Sequence, residues 1–185
     1  MGLYDSLLIG AQQTKRKLFI SYYHKDDEYY RNKFETLFGH LFVNKSVKMG
    51  DISTDVSTEY IKKLIQLNYL SDTSVLVVLV GEKTYCRKHV DWEISAALSK
   101  KVGGYTGLVG IRLPSHPDYG KNEYYSRNIP SRLVENLESG YAKLYDWSEN
   151  TEWLKTRIET AFNAKNSESH LIRNTSSQFQ RNRCD

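Results

Sequence analysis

Glu93 lies in the stretch Arg87-Lys88-His89-Val90-Asp91-Trp92-Glu93-Ile94-Ser95-Ala96-Ala97-Leu98, where Val90, Ile94, Ala97 and Leu98 recur at the spacing of one helical stripe. At about 100° per residue the glutamate falls on the flank of that stripe. A sheltered carboxylate there costs free energy unless something uses it. Cys86, just ahead of the same helix, sits where a thiolate would be stabilised as a nucleophile, although a small buried thiol is the commoner use of such a residue. The five histidines, His24, His40, His89, His116 and His170, show neither the helical pair spacing nor the cysteine partners of a zinc site, so no metal is expected. No Walker-type phosphate loop occurs, and Gly104, Gly107 and Gly110 run into a strand rather than opening a helix.

The elements that must position these groups alternate in type. Lys17 to Tyr22 reads as a first strand, and Asp26 and Asp27 open a helix whose apolar stripe is Tyr30, Phe34, Leu37, Phe38, Leu41 and Phe42. Val47-Lys48-Met49 reads as a short second strand ended by the turn Gly50-Asp51. A second helix then carries Ile61, Leu64 and Ile65 inward, with Asp55 or Ser57 as its cap. Val75 to Val80 is the most strand-like segment of the chain and leads into the Glu93 helix. Gly107 to Leu113 and Tyr141 to Tyr145 supply strands four and five, and a last helix places Leu154, Ile158, Ala161 and Phe162 on one side.

Such alternation implies a parallel sheet with right-handed crossovers, in the order 2-1-3-4-5. In that order a crevice opens above the carboxyl ends of strands one and three, where the loops Ser21 to Asp27 and Gly81 to Cys86 meet. The long connection from Pro114 to Gly140 holds a short helix at Ser131 to Leu137 and is a candidate lid or interaction surface.

With 185 residues, 39% of them hydrophobic, the chain suits one domain from about residue 17 to 164, after an N-terminal extension at 1–16 and before a basic tail at 165–185 expected to be disordered. Two cysteines, Cys86 and Cys184, cannot make a disulfide framework, and a reducing cytoplasm fits them. The longest apolar run is the six residues Val75 to Val80, so no membrane span is expected, and the start lacks the basic and apolar regions of a secretory signal. Gly2 with Ser6 fits only the loose myristoylation pattern that many chains share. The net charge of +4 is spread among acids, which argues against a nucleic-acid surface and leaves room for an anionic small molecule.

Taken together, these residues carry a resemblance. Leu18-Phe19-Ile20-Ser21-Tyr22 resembles the first box of TIR domains, and Met49-Gly50-Asp51-Ile52-Ser53 occupies the place of their mobile loop. Ser74 to Gly81, Thr84-Tyr85 and Val90-Asp91-Trp92-Glu93-Ile94 look like the TIR-like subfamily of prokaryotic defence proteins, with the closest likeness to the TIR subunit of Thoeris anti-phage systems. The resemblance implies a flavodoxin-like α/β three-layer sandwich and an enzyme that takes NAD as substrate, with no separate cofactor. NAD would be cleaved between nicotinamide and ribose, giving ADP-ribose or a cyclic signal that activates a separate effector in anti-phage defence.

Family catalysis rests on a glutamate in this helix, which maps onto Glu93. Ser21, Tyr22, Tyr23 and His24 would line the nucleotide pocket together with Cys86, and Asp51 and Ser53 would form a flap over the substrate or a contact to a neighbouring protomer. Self-association through TIR surfaces and a phage-derived trigger are the expected partners. The chain departs from many TIR enzymes in carrying His89 and Val90 where they have Trp and Cys, while Trp92 directly precedes Glu93 and points away from the apolar stripe, as an interface residue would. Two rival readings are a non-catalytic TIR interaction module and a phosphoacceptor receiver domain. The receiver reading lacks its aspartate after strand three and its lysine after strand five, where this chain has Gly81 and Asp146-Trp147.

Overall fold

The computed structural model describes residues 15–46, 70–101 and 103–184. Five strands, β1 (Lys17–Ser21), β2 (Val43–Asn44), β3 (Val75–Val80), β4 (Gly107–Arg112) and β5 (Lys143–Asp146), form one all-parallel sheet of order β2-β1-β3-β4-β5. All six side chains of central β3 are buried, because helices cover both of its faces, and this is why the segment is apolar without alternation. Four α-helices are described: α1 (His24–Phe38), α2 (Lys88–Ala97), α3 (Ser131–Glu138) and α4 (Thr151–Ser167).

The two-residue period of the strands sorts the core into halves. Leu18, Ile20, Val75, Val77 and Leu79 face α1 and α4, while Phe19, Leu76, Val78 and Val80 face α2 and α3. At Gly107 a side chain would run into the backbone of Ala161, so glycine lets α4 lie close on β4. This is the expected flavodoxin-like three-layer architecture, with the β1 and β3 loops adjacent at one end of the sheet.

Several boundaries differ from expectation. The first helix stops at Phe38, before Leu41 and Phe42, because Gly39 follows and favours chain termination over another turn. The strand beside β1 is Val43–Asn44, whereas Val47 to Met49, the second helix with Ile61, Leu64 and Ile65, and the loop residues Asp51 and Ser53 lie outside the described residues. Strand β5 begins at Lys143, and Tyr141 is instead buried with its hydroxyl donating to Thr106 O at 2.8 Å.

The tail is the larger correction. Helix α4 runs on to Ser167, and the residues after Arg173 pack as an extended strap across α2 and α3 rather than standing free. Its few apolar groups pointed to disorder, but polar contacts hold it. Asn136 grips Arg173 through both backbone groups, Asn174 Nδ2 donates to Ser95 O at 2.9 Å, and Phe179, the strap's one aromatic residue, is buried. The two cysteines, read as fitting a reducing compartment, are joined as a Cys86–Cys184 disulfide with Cα atoms 5.5 Å apart, since the strap returns the chain end to the start of α2. Among the described residues no helix is long and apolar enough to cross a membrane.

Candidate active site

From Val90 to Ala97 helix α2 is buried on every side, while its first turn, Lys88 and His89, reaches the surface. Val90, Ile94, Ala97 and Leu98 meet the sheet, as their spacing predicts, and the strap covers the side that would otherwise face water. Trp92 therefore does not present an outward interface. It is 1% exposed, and its indole N–H donates to Phe179 O at 2.8 Å. Asp91 is buried as well, accepting from Arg132 Nε at 3.0 Å and from Phe179 N at 2.8 Å, and Arg132 completes its own fork with Asn174 Oδ1 and Ser176 O.

Glu93, on the same helix, is 8% exposed. Burial pushes its pKa up to about 8, and the nearby Ser21 hydroxyl pulls in the opposite direction. That hydroxyl approaches the carboxyl without closing a hydrogen bond of good geometry, so Ser21 Oγ is buried with unused bonding capacity. The meeting of these two residues follows from strand geometry. Ser21 is two positions after Phe19 on β1 and points, like Phe19, to the α2 face.

By the same rule Tyr22 turns to the other face, in the core beneath α1, where its hydroxyl donates to Glu28 at 2.6 Å and burial raises its pKa. The expected pocket wall from Ser21 to His24 is therefore divided. Ser21 is the member beside Glu93. Tyr23 receives the Arg87 guanidinium over its ring at 3.7 Å, which ties the β1 loop to the start of α2. His24 packs its ring against Tyr22 at 4.3 Å, and its pKa is lowered by burial. His89 is lowered in the same way, first by burial and then by the charges of Lys88 and His24, so both imidazoles favour the neutral form.

Cys86 is expected beside the substrate, but the structure commits its sulfur to Cys184 and buries it fully, so it offers no free thiol in this state. Asp51 and Ser53 lie outside the described residues.

A further buried polar pair carries no motif. Asp27, expected to serve the helix dipole, is 1% exposed and accepts from Thr84 Oγ1 at 3.0 Å, while Thr84 Oγ1 accepts from Gly81 N at 2.9 Å. A side chain at Gly81 would collide with the Asp27 carboxyl. Burial raises the Asp27 pKa to about 6 despite the Thr84 bond. The signal was present in the sequence, because Asp27, Arg31, Phe34 and Phe38 form the buried stripe of α1 at helical spacing. This buried bond fixes the loop after β3 to α1.

The long connection after β4 is a fixed structure built on Arg112. That guanidinium donates to the carbonyls of Asp118 and Lys121 and pairs with Asp146 at 2.6 Å. Asp118, itself buried, accepts from Tyr125 N and Asn128 Nδ2, and these bonds hold its carboxyl at about 2 against the cost of burial. Among the described residues no group of three His, Cys, Asp or Glu is arranged to hold a metal ion.

The site can therefore present one buried carboxyl, a free hydroxyl and two neutral imidazoles at the carboxyl ends of β1 and β3. Residues 19–118, which include both Ser21 and Glu93, match the family described as Thoeris protein ThsB, TIR-like domain. Among curated proteins none matches the chain.

Proposed function

Because the chain belongs to the TIR-like domain family of Thoeris protein ThsB, matched from β1 through the loop after β4, we propose that it cleaves the bond between nicotinamide and ribose in NAD and acts in anti-phage defence through the nucleotide product. The observation that carries this reading is the buried Glu93 carboxyl beside the unpartnered Ser21 hydroxyl at the ligand-binding end of the sheet.

The chemistry needs only one acid. In NAD the nicotinamide nitrogen carries positive charge through its bond to ribose, so when that bond breaks the electron pair returns to the ring and nicotinamide leaves neutral. No group has to protonate it. This differs from glycosidases, which divide the work between two carboxylates. Glu93 holds the hydroxyls of the nicotinamide ribose and, once ionised, stabilises the positive charge developing at the anomeric carbon.

With a pKa of about 8, Glu93 is largely protonated in the free protein at neutral pH. The cationic nicotinamide ring of the substrate favours loss of that proton, because opposite charges placed close together in a sheltered site stabilise each other. Ser21 supplies a further hydroxyl at the same point, and Tyr23 and His24 offer ring faces on the rim. Water or a nucleophile within the same molecule then takes the ribosyl carbon, giving linear or cyclic ADP-ribose that would activate a separate effector. Self-association through TIR surfaces on a phage-derived trigger brings the protein to its active state.

Nicotinamide release decides between this reading and a non-catalytic interaction module. The assay uses concentrated protein with NAD, alone and in extract of phage-infected cells. The enzyme reading fails if neither condition yields nicotinamide, or if Glu93→Gln yields it equally fast.

A further inference from the structure

The strap from Arg173 to Arg183 is held at intervals by hydrogen bonds to side chains and backbone of α2 and α3. Asn136 binds its start, Asp91 and Trp92 bind Phe179, and near its end Asn182 Oδ1 accepts from Lys88 N at 3.1 Å while Arg183 N donates to Cys86 O at 2.9 Å. Its last link is covalent. Cys184 is joined to Cys86, 98 residues earlier, and these are the chain's two cysteines.

The two sulfurs differ in access. Cys86 is fully buried in the turn between β3 and α2, whereas Cys184 is half-buried on the surface of the strap. A reducing thiol therefore reaches the Cys184 sulfur first, and Cys86 is the leaving thiolate, one residue ahead of the N-cap of α2, where negative charge is favoured.

We propose that Cys86–Cys184 is a redox latch that fixes the strap across α2 when oxidised and releases it when reduced. Closing requires a small disulfide such as glutathione disulfide. One cysteine thiolate attacks it, the reagent's sulfur–sulfur bond breaks and one glutathione leaves. The second cysteine then displaces the other glutathione from the mixed disulfide. Two protein thiols lose two electrons and two protons, and two glutathione thiols are formed. Opening by glutathione reverses each step.

The latch reaches the candidate site through two short paths. Its strap contacts Asp91, Trp92 and Ser95 on the helix that carries Glu93, and its Cys86 end shares a 3-10 turn with Thr84, which is bonded to Asp27. Freeing the strap uncovers the Asp91–Arg132 pair and the Trp92 ring, a surface that is then open to a partner. This inference stands without the NAD reading.

The test uses the full chain equilibrated in glutathione buffers from reducing to oxidising. Free thiols are acid-quenched, alkylated after denaturation and counted by intact mass, while hydrogen exchange is followed at the Phe179 amide, which is bonded to Asp91. In oxidising buffer neither cysteine should be labelled and the amide should be protected. In reducing buffer both should be labelled, and exchange at Phe179 should quicken on the order of a hundredfold, as for untying the strap of roughly a dozen residues from Arg173 to Cys184. Cys184→Ser, altered at a surface position, should exchange at the reduced rate in every buffer. The proposal is overturned if no intramolecular disulfide forms under oxidising conditions, or if the Phe179 amide of the wild-type chain exchanges alike in both states.

Discussion

Replacing Glu93 by glutamine should stabilise the protein while removing its proposed activity. Folded Glu93 binds its proton more tightly than the unfolded chain does, since burial raises its pKa from the ordinary 4.5 to about 8. Between those two values the unfolded carboxyl is ionised while the folded one still carries its proton. Wild-type stability therefore falls as pH rises through this window, by about 1.4 kcal/mol per unit. Above about pH 8 both states are ionised and the loss levels off, at no more than about 5 kcal/mol. Glutamine keeps the shape and hydrogen-bonding ends of the protonated acid but has no proton to lose. Urea denaturation of wild type and Glu93→Gln at each unit from about pH 5 to 9 isolates the effect, because the slope from Asp27, whose pKa is also raised, is common to both proteins. The stability difference should widen up to about pH 8 and then stay level. A difference that does not change with pH, or a variant less stable than wild type at pH 8, would refute the assignment of Glu93 as a desolvated acid.

Other consequences follow from the same geometry. Thr84→Val leaves both Gly81 N and the Asp27 carboxyl without their buried partner, and should cost about 2–4 kcal/mol in chemical denaturation while raising the Asp27 pKa further above about 6, readable by carbon-13 NMR. Asp91→Ala strands the buried Arg132 guanidinium and should cost about 3–5 kcal/mol, whereas joint replacement of Asp91 by Leu and Arg132 by Met should recover only part of that loss, since Phe179 N, Asn174 Oδ1 and Ser176 O still lose their partners. If the free enzyme must ionise Glu93, kcat/KM for NAD should rise with pH and reach half its maximum near the Glu93 pKa of about 8.

The parts of the fold that were legible in sequence are those governed by apolar periodicity. The unbroken run Val75 to Val80 marked the central strand because both its faces are covered, and the stripe Val90, Ile94, Ala97 and Leu98 marked the inner side of α2. Glu93 was legible as an acid on the edge of that stripe. The burial of its neighbours Asp91 and Trp92 was not, because their cover comes from a strap more than 80 residues away in sequence that binds mainly through amides and carbonyls. Hydrogen bonds of this kind leave no period to read. The proximity of Ser21 and Tyr22 in the chain suggested a shared pocket, yet adjacent strand residues point to opposite faces, so Ser21 lies beside the carboxyl while Tyr22 bonds Glu28 and only feels the charge of Glu93. Asp27 does lie in the first turn of α1, as expected, but its burial was not read for a related reason. An acid near a helix start suits the dipole, but its place on the buried stripe decided its surroundings.

The central claim is most directly tested by measuring nicotinamide release from NAD by wild type and Glu93→Gln, side by side, with extract of phage-infected cells present. The account predicts release by wild type and a drop on the order of a hundredfold or more in the variant, the effect of losing about 3 kcal/mol of transition-state stabilisation. Equal release by the two proteins, or none from wild type under any of the stated conditions, would contradict it.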